Sequence, residues 1–187
     1  MKTAKLPIIV AEISKYGKQI DTAQIEATAK LIYQAQRIFI AGAGRSGFAA
    51  RGFANRLMQL GLIVYFVGET TTPAIQSGDL LLIGSGSGST SSLVIDAKKA
   101  KQIGTQVALL TIYPDSEIGQ LANCMIEIPG GTPKNESADT DTANSEQPMG
   151  TLFEQLSWLT YDALVMELMD LTGETDETMF ARHANLE

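Results

Sequence analysis

Five short, uninterrupted apolar segments constrain the fold of this chain more than any other feature of its sequence. They lie at 38–41, 62–67, 80–83, 106–110 and 124–128, and helical patterns separate them. Continuous apolar strands that alternate with helices indicate a parallel sheet covered on both faces. The sequence therefore predicts an α/β fold: a three-layer α/β/α sandwich with a five-stranded parallel sheet, of the Rossmann-like or flavodoxin-like kind.

The rest of the chain completes one predicted domain, which is an ordinary size for 187 residues. Apolar residues at helical spacing predict two N-terminal helices within 1–36, with Asp21 as the N-cap of the second. The α/β core spans 37–128, and the polar stretch 129–150 is long enough to act as a lid. A C-terminal helix that ends near Gly173, followed by a tail, fills 151–187.

Two turns rich in glycine and serine follow the first and third apolar segments, at 42–47 (GAGRSG) and 84–90 (GSGSGST). Each turn leads into a helix, whose first backbone N–H groups and positive dipole end favour an anion. In a parallel sheet, ligands bind at the carboxyl ends of the strands, where both turns lie. We therefore expect a phosphorylated small molecule as the ligand.

The second turn offers several hydroxyl groups and backbone donors that could fill the acceptor positions of a phosphate monoester. An alternative is that Ser89 or Thr90 only caps the following helix. The residues that we predict to bind the phosphate are Ser85, Gly86, Ser87, Ser89 and Thr90.

The first turn is predicted to line the rest of the ligand through Gly44, Arg45 and Ser46, with Arg45 as a charged fork. Arg45 could instead be an ordinary surface residue, and the glycines could serve turn geometry alone. The turn at 42–47 also matches the dinucleotide fingerprint, with Glu69 placed to bind a ribose. An NAD(P)-dependent oxidoreductase is therefore a competing hypothesis.

The charge balance argues against polyanionic partners. The chain has 14 basic and 21 acidic residues and a net charge of −7, which opposes nonspecific binding to nucleic acid or anionic membranes. No apolar run approaches the roughly 20 residues of a membrane span, so we expect a cytoplasmic protein. One cysteine and one histidine offer no metal-ligand cluster, so no metal is expected.

Two further motifs occur together with the turns: QPMGTLFEQ at 147–155 and RHANLE at 182–187. This combination resembles the SIS (sugar isomerase) domain family, and within it the 6-phospho-3-hexuloisomerases, over nearly the whole chain. The resemblance implies interconversion of D-arabino-hex-3-ulose 6-phosphate and D-fructose 6-phosphate, in the ribulose monophosphate pathway of formaldehyde fixation. It also implies that no cofactor is needed and that the protein is a homotetramer.

Moving a carbonyl between C3 and C2 requires a base at C2 and a group that stabilises the enediolate. Glu154 is the candidate base, although Glu154 could instead form a capping box with Thr151. The resemblance favours His183 as an acid, a proton shuttle or a group that opens the sugar ring. His183 could also be a solvated tail residue, or it could complete the site of a neighbouring subunit. A sugar-phosphate sensor without activity is the remaining alternative.

Overall fold

The computed structural model describes residues 4–132 and 143–186. Its centre is a five-stranded sheet in which every pairing is parallel, with the strand order β2-β1-β3-β4-β5. This architecture confirms the predicted fold class, and each apolar segment holds a strand. The strands are β1 (Ile38–Gly42), β2 (Val64–Phe66), β3 (Leu80–Gly84), β4 (Gln106–Thr111) and β5 (Cys124–Glu127).

Helices cover both faces of the sheet. Along β1, Ile38 and Ile40 pack into one apolar cluster, whereas Phe39 and Ala41 pack into another, because successive side chains of a strand point to opposite faces. The first cluster includes side chains of α1, α2, α3 and α5, and the second includes those of α4. The helices are α1 (Lys5–Gly17), α2 (Thr22–Gln34), α3 (Gly44–Gln59), α4 (Ser91–Ile103), α5 (Thr151–Thr172) and α6 (Asp176–Phe180).

The helix ends follow local chemistry. The Asp21 carboxylate accepts a 2.8 Å bond from the Ala23 N–H, which confirms Asp21 as the N-cap of α2. Gly173 ends α5 with a left-handed φ of 73°, as expected. Helix α6, a short helix that begins with a capping box between Thr175 and Thr178, lies in the segment that was predicted to be a tail.

The polar stretch 129–150 is only partly described. Its described parts, 129–132 and 143–150, contain neither helix nor strand. Residues 133–142 lie outside the described residues, so the role of this stretch as a lid stays a prediction.

The strand order places the two turns next to each other. β1 pairs with β3 so that Gly42 lies opposite Gly84, and both strands end there. From these ends α3 leaves toward one face of the sheet and α4 toward the other. Such a switch point opens a crevice at the carboxyl edge of the sheet, where doubly wound folds bind their ligands.

Candidate active site

A cavity of about 440 Å³ opens at the carboxyl ends of β1 and β3. Its walls come from the two turns, from the segment 148–151 and from the first turn of α5. The volume suits a phosphorylated monosaccharide. The site residues predicted from the sequence that line it are Gly44, Arg45, Ser46, Ser85, Gly86, Ser87, Thr90 and Glu154.

In the first turn, the glycines are required by geometry. Gly44 has a φ of +58°, a left-handed conformation that favours glycine. A Cβ atom on Gly47 would lie 2.7 Å from the carbonyl oxygen of Gly42, so the turn closes only without side chains there. The first intrahelical bond of α3 runs from the Gly47 N–H to Ala43. The three N–H groups before it have no partner within the helix and are available at the cavity.

The second turn presents donors to the cavity because its carbonyl groups are engaged elsewhere. The Gly86 carbonyl accepts from the Ile112 N–H at 3.1 Å and from the Thr111 hydroxyl at 3.2 Å. Thr90 is the N-cap of α4, yet within the described chain its hydroxyl makes no capping bond. The Thr90 hydroxyl therefore remains available for a ligand, together with the first N–H groups of α4.

The serines of this turn differ in position. Ser85 is buried in the cavity wall, and Ser87 is half-buried beside it. Ser89 is exposed and lies outside the wall. The structure thus brings together every predicted phosphate-binding residue except Ser89.

Glu154 meets Arg45 at the cavity. α5 begins at Thr151, so Glu154 lies in its first turn, where its carboxylate accepts a hydrogen bond from the Arg45 guanidinium. The side chain of Glu154 is 20% exposed and that of Arg45 is 57% exposed. A carboxylate and a guanidinium from distant parts of the chain therefore share one wall of the cavity.

The capping-box alternative for Glu154 is wrong. The N-cap of α5 is Gly150, and Thr151 is the first residue of the helix. The N–H and hydroxyl groups of Thr151 both donate to the Pro148 carbonyl, at 3.2 and 2.6 Å. The Glu154 carboxylate is engaged by Arg45 instead, because the chain enters α5 through a turn at 148–151.

Aromatic side chains of α5 pack beneath the second turn. A Cβ on Gly86 would lie 3.1 Å from the Phe153 ring, and one on Gly84 would lie 2.5 Å from the Tyr161 hydroxyl. Burial raises the pKa of Tyr161, and this hydroxyl has no hydrogen-bond partner among the described residues. The buried phenol is therefore neutral, and it packs against Gly84 without lining the cavity.

Several wall residues were not foreseen individually. The segment at 148–151 and Phe153 line the cavity, whereas in the sequence their motif indicated chiefly a family resemblance. The position of the motif, between a long polar stretch and a helix, is the signal that could have assigned it to the wall.

His183 lies far from the cavity of its own chain. The neighbouring Arg182 donates to the carbonyl of Gln59 at 3.0 Å, and Gln59 is the last residue of α3. The cavity, by contrast, lies at the first turn of α3. The 16 residues of α3 separate these ends by roughly 24 Å at 1.5 Å per residue. The His183 ring is exposed and packs beside Phe180, with their centroids 5.8 Å apart.

Glu69, the acid that the dinucleotide hypothesis requires, is engaged away from the cavity. Its carboxylate pairs with the Arg51 guanidinium, which also lies 3.7 Å from the centre of the Phe66 ring. Glu69 does not line the cavity. The glycines of the first turn thus lack the acidic partner of a dinucleotide site.

Comparison with known proteins agrees with this geometry. A family model described as the SIS domain matches residues 31–146, which is more than half of the chain. The chain belongs to the SIS family.

Individual SIS relatives are similar over their full lengths. A Bacillus subtilis protein named 3-hexulose-6-phosphate isomerase is 45% identical, with 100% of both chains covered. A Mycobacterium gastri protein of the same name is 41% identical over 99% of this chain and 91% of its own. A crystal structure from Methanococcus jannaschii, reported to infer this molecular function, has a TM-score of 0.82 and 33% identity, covering 98% and 99% of the two chains.

Proposed function

We propose that this chain is an isomerase that interconverts D-arabino-hex-3-ulose 6-phosphate and D-fructose 6-phosphate. The observation that carries the proposal is a single cavity in which a cradle of anion donors lies beside the carboxylate of Glu154. The relatives named 3-hexulose-6-phosphate isomerase support the choice of substrate. In the cell, this reaction would serve the ribulose monophosphate pathway.

The phosphate binds at the second turn. Ser85, Ser87 and Thr90 supply hydroxyl groups there, and the N-terminus of α4 supplies backbone donors. These local donors compensate for the net charge of −7, which would otherwise repel a phosphate ester. The sugar then extends toward the first turn and Glu154.

Glu154 acts as the base. Its carboxylate takes the proton from C2 of the 3-ketose, and the electron pair moves onto the C3 oxygen to form a 2,3-enediolate. The proton of the C2 hydroxyl moves to the C3 oxygen, the C2 carbonyl forms, and Glu154 returns a proton to C3. The Arg45 side chain is exposed, and exposed ion pairs are weak. Arg45 can therefore leave Glu154 and donate a hydrogen bond to the enediolate oxygen of the substrate.

A second copy of the chain supplies His183 in this proposal. In its own chain, His183 follows Arg182, which is bound at the end of α3 opposite the cavity. The C-terminal arm that carries His183, residues 174–186, also has the exposed apolar side chain of Phe180. Phe48, Trp158 and Met166 are exposed on α3 and α5, and they offer an apolar surface for another copy. A homotetramer, a cytoplasmic location, the absence of cofactors and the single-domain division stay predictions. No helix within residues 4–132 and 143–186 is long and apolar enough to cross a membrane.

Carbon-13 NMR of labelled fructose 6-phosphate tests the activity. We expect the wild-type protein to produce the resonances of a 3-ketose phosphate without added nicotinamide or metal. A sensor would shift the fructose 6-phosphate signals by binding and form no product. Either unchanged spectra or binding without product would contradict the proposed reaction.

Mixing two inactive variants tests the shared site. If His183 acts across a two-fold interface, co-expressed Glu154→Gln and His183→Gln chains assemble some sites in which both residues are intact. Random pairing then restores about a quarter of the wild-type activity. A mixture that stays as inactive as the separate variants would contradict the contribution of His183 from a second copy.

A further inference from the structure

Helix α1 holds the chain just before it reaches the cavity. The Glu12 carboxylate accepts hydrogen bonds from the Ser145 hydroxyl at 2.7 Å, the Glu146 N–H at 2.7 Å and the Gln147 side-chain amide at 2.9 Å. The Tyr16 hydroxyl donates to the Asn144 carbonyl at 2.9 Å. One side of α1 therefore fixes four consecutive residues whose own sequence has no helix or strand pattern.

These hydrogen bonds keep Glu12 ionised. Burial acts to raise its pKa, and the bonds from Ser145, the Glu146 N–H and Gln147 outweigh that effect, so the pKa lies below its ordinary value. A carboxylate that accepts three bonds is a strong anchor, because bonds to a charged acceptor are stronger than neutral ones.

The anchored residues lead directly into the cavity wall. We use the term wall segment for residues 148–151, which line the cavity and end at the first residue of α5. Within the wall segment, Met149 has a φ of 56°, and it is the single non-glycine residue with a positive φ in the described chain. Such a backbone conformation persists only where the surroundings hold it. The chain enters this segment directly from the three residues, 145–147, that Glu12 holds by hydrogen bonds.

We propose that Glu12 is a positioning residue for the active site, although it does not touch the cavity. Through its three bonds it sets the place of the wall segment and, one helical turn later, of Glu154. A sugar phosphate in the cavity thus depends on a side chain of α1, a helix that packs on α5. This inference rests on the proposed isomerase function for its kinetic part only.

The test compares Glu12→Ala with Glu26→Ala, a matched loss of an acidic side chain at an exposed position of α2. Kinetics with fructose 6-phosphate and urea unfolding are measured on both. Glu12→Ala is expected to raise KM and to lower kcat/KM by about 10- to 100-fold, because small displacements of positioning groups are costly. Glu26→Ala is expected to keep the wild-type KM and kcat.

Two more variants make the result specific. Glu12→Gln is expected to recover much of the wild-type KM, because the Gln147 side-chain oxygen is buried without a partner among the described residues and can turn to accept from the new amide. Ser145→Ala removes one of the three donors and is expected to raise KM by a smaller factor. If Glu12→Ala does not fold, the KM of Ser145→Ala still tests the positioning role of Glu12.

Hydrogen exchange of the wall segment separates this inference from the proposed function. In Glu12→Ala, the backbone amides of residues 146, 147 and 149–151 are expected to exchange faster than in Glu26→Ala, whatever reaction the protein catalyses. An inactive wild-type protein with this exchange pattern would overturn the isomerase proposal and leave the anchoring intact. Lower stability in urea with unchanged KM, kcat and exchange at 146–151 would overturn the positioning role.

Discussion

Two arginine–glutamate pairs, one at the cavity and one on the C-terminal arm, are similar in composition and differ in what surrounds them. On the arm, Arg182 donates to both oxygens of Glu174, at 2.8 and 2.9 Å, and to the Gln59 carbonyl at 3.0 Å. At the cavity, Arg45 donates through one nitrogen to one oxygen of Glu154. A guanidinium with many protein partners fixes structure, whereas one with a single partner can still bind a ligand.

The pKa of Glu174 illustrates the difference. Hydrogen bonds from Arg182, and then from Thr178, lower it to about 2. A carboxylate held in its ionised form so firmly is a poor base. Within the described part of the chain, Arg45 is the one side-chain partner of the Glu154 carboxylate, which lies at the cavity, and this arrangement suits a group that must exchange protons with a substrate.

The largest expected effect is that of Glu154→Gln. The amide keeps the shape of the side chain and cannot accept the substrate proton, so kcat should fall by about 10²- to 10⁴-fold. Glu174→Gln is the matched comparison, and it should lower kcat much less, because Glu174 acts only through the position of the arm that carries His183. Equal losses in the two variants would mean that the comparison of the pairs is wrong.

Replacement of the two arginines should separate binding from anchoring. Arg45→Met removes a charged donor to the substrate, worth about 1.5–3 kcal/mol, so kcat/KM should fall by roughly 10- to 100-fold. Arg182→Met should release the C-terminal arm, because Arg182 holds it to Glu174 and Gln59, and it should lower kcat/KM less than Arg45→Met does. Steady-state kinetics, with proteolysis of the arm as a second measurement, distinguish these outcomes. An Arg45→Met enzyme with unchanged kcat/KM would remove Arg45 from the site.

The smallest expected effect concerns pH. The pKa of Glu174 is lowered from 4.5 to about 2, so its contribution to holding the arm is complete above its ordinary pKa and disappears only as the pH falls through about 2. Hydrogen exchange of α6 should therefore show equal protection of the arm at pH 8 and pH 5, after correction for intrinsic rates. Loss of protection between these values would show that another group holds the arm.

The features that could be predicted from the sequence are those that depend on residues close to each other along the chain. The strands could be recognised from continuous apolar runs, and the two turns from glycines whose φ or close packing excludes side chains. The contacts that complete the site could not be recognised in this way. Arg45 and Glu154 are 109 positions apart, and Glu12 and Ser145 are 133 apart, so no local pattern records either pair.

The strand order and the C-terminal arm are similar cases. The order β2-β1-β3 places Gly42 beside Gly84, but the sequence of a strand does not indicate which strand it pairs with. The position of His183 at the far end of α3 depends on the bond from Arg182 to Gln59, which joins distant segments. The resemblance to a family could suggest His183 as a site residue, whereas the fold places its neighbour Arg182 at the end of α3 opposite the cavity.

Proton exchange at C3 of fructose 6-phosphate in D₂O tests the central claim most directly, because it follows the proton that Glu154 is proposed to move. Proton NMR should show that the wild-type protein replaces the C3 proton by deuterium. Glu154→Gln, folded and still binding fructose 6-phosphate, should show no exchange above that of the buffer. Exchange by Glu154→Gln at the wild-type rate would contradict the assignment of Glu154 as the base.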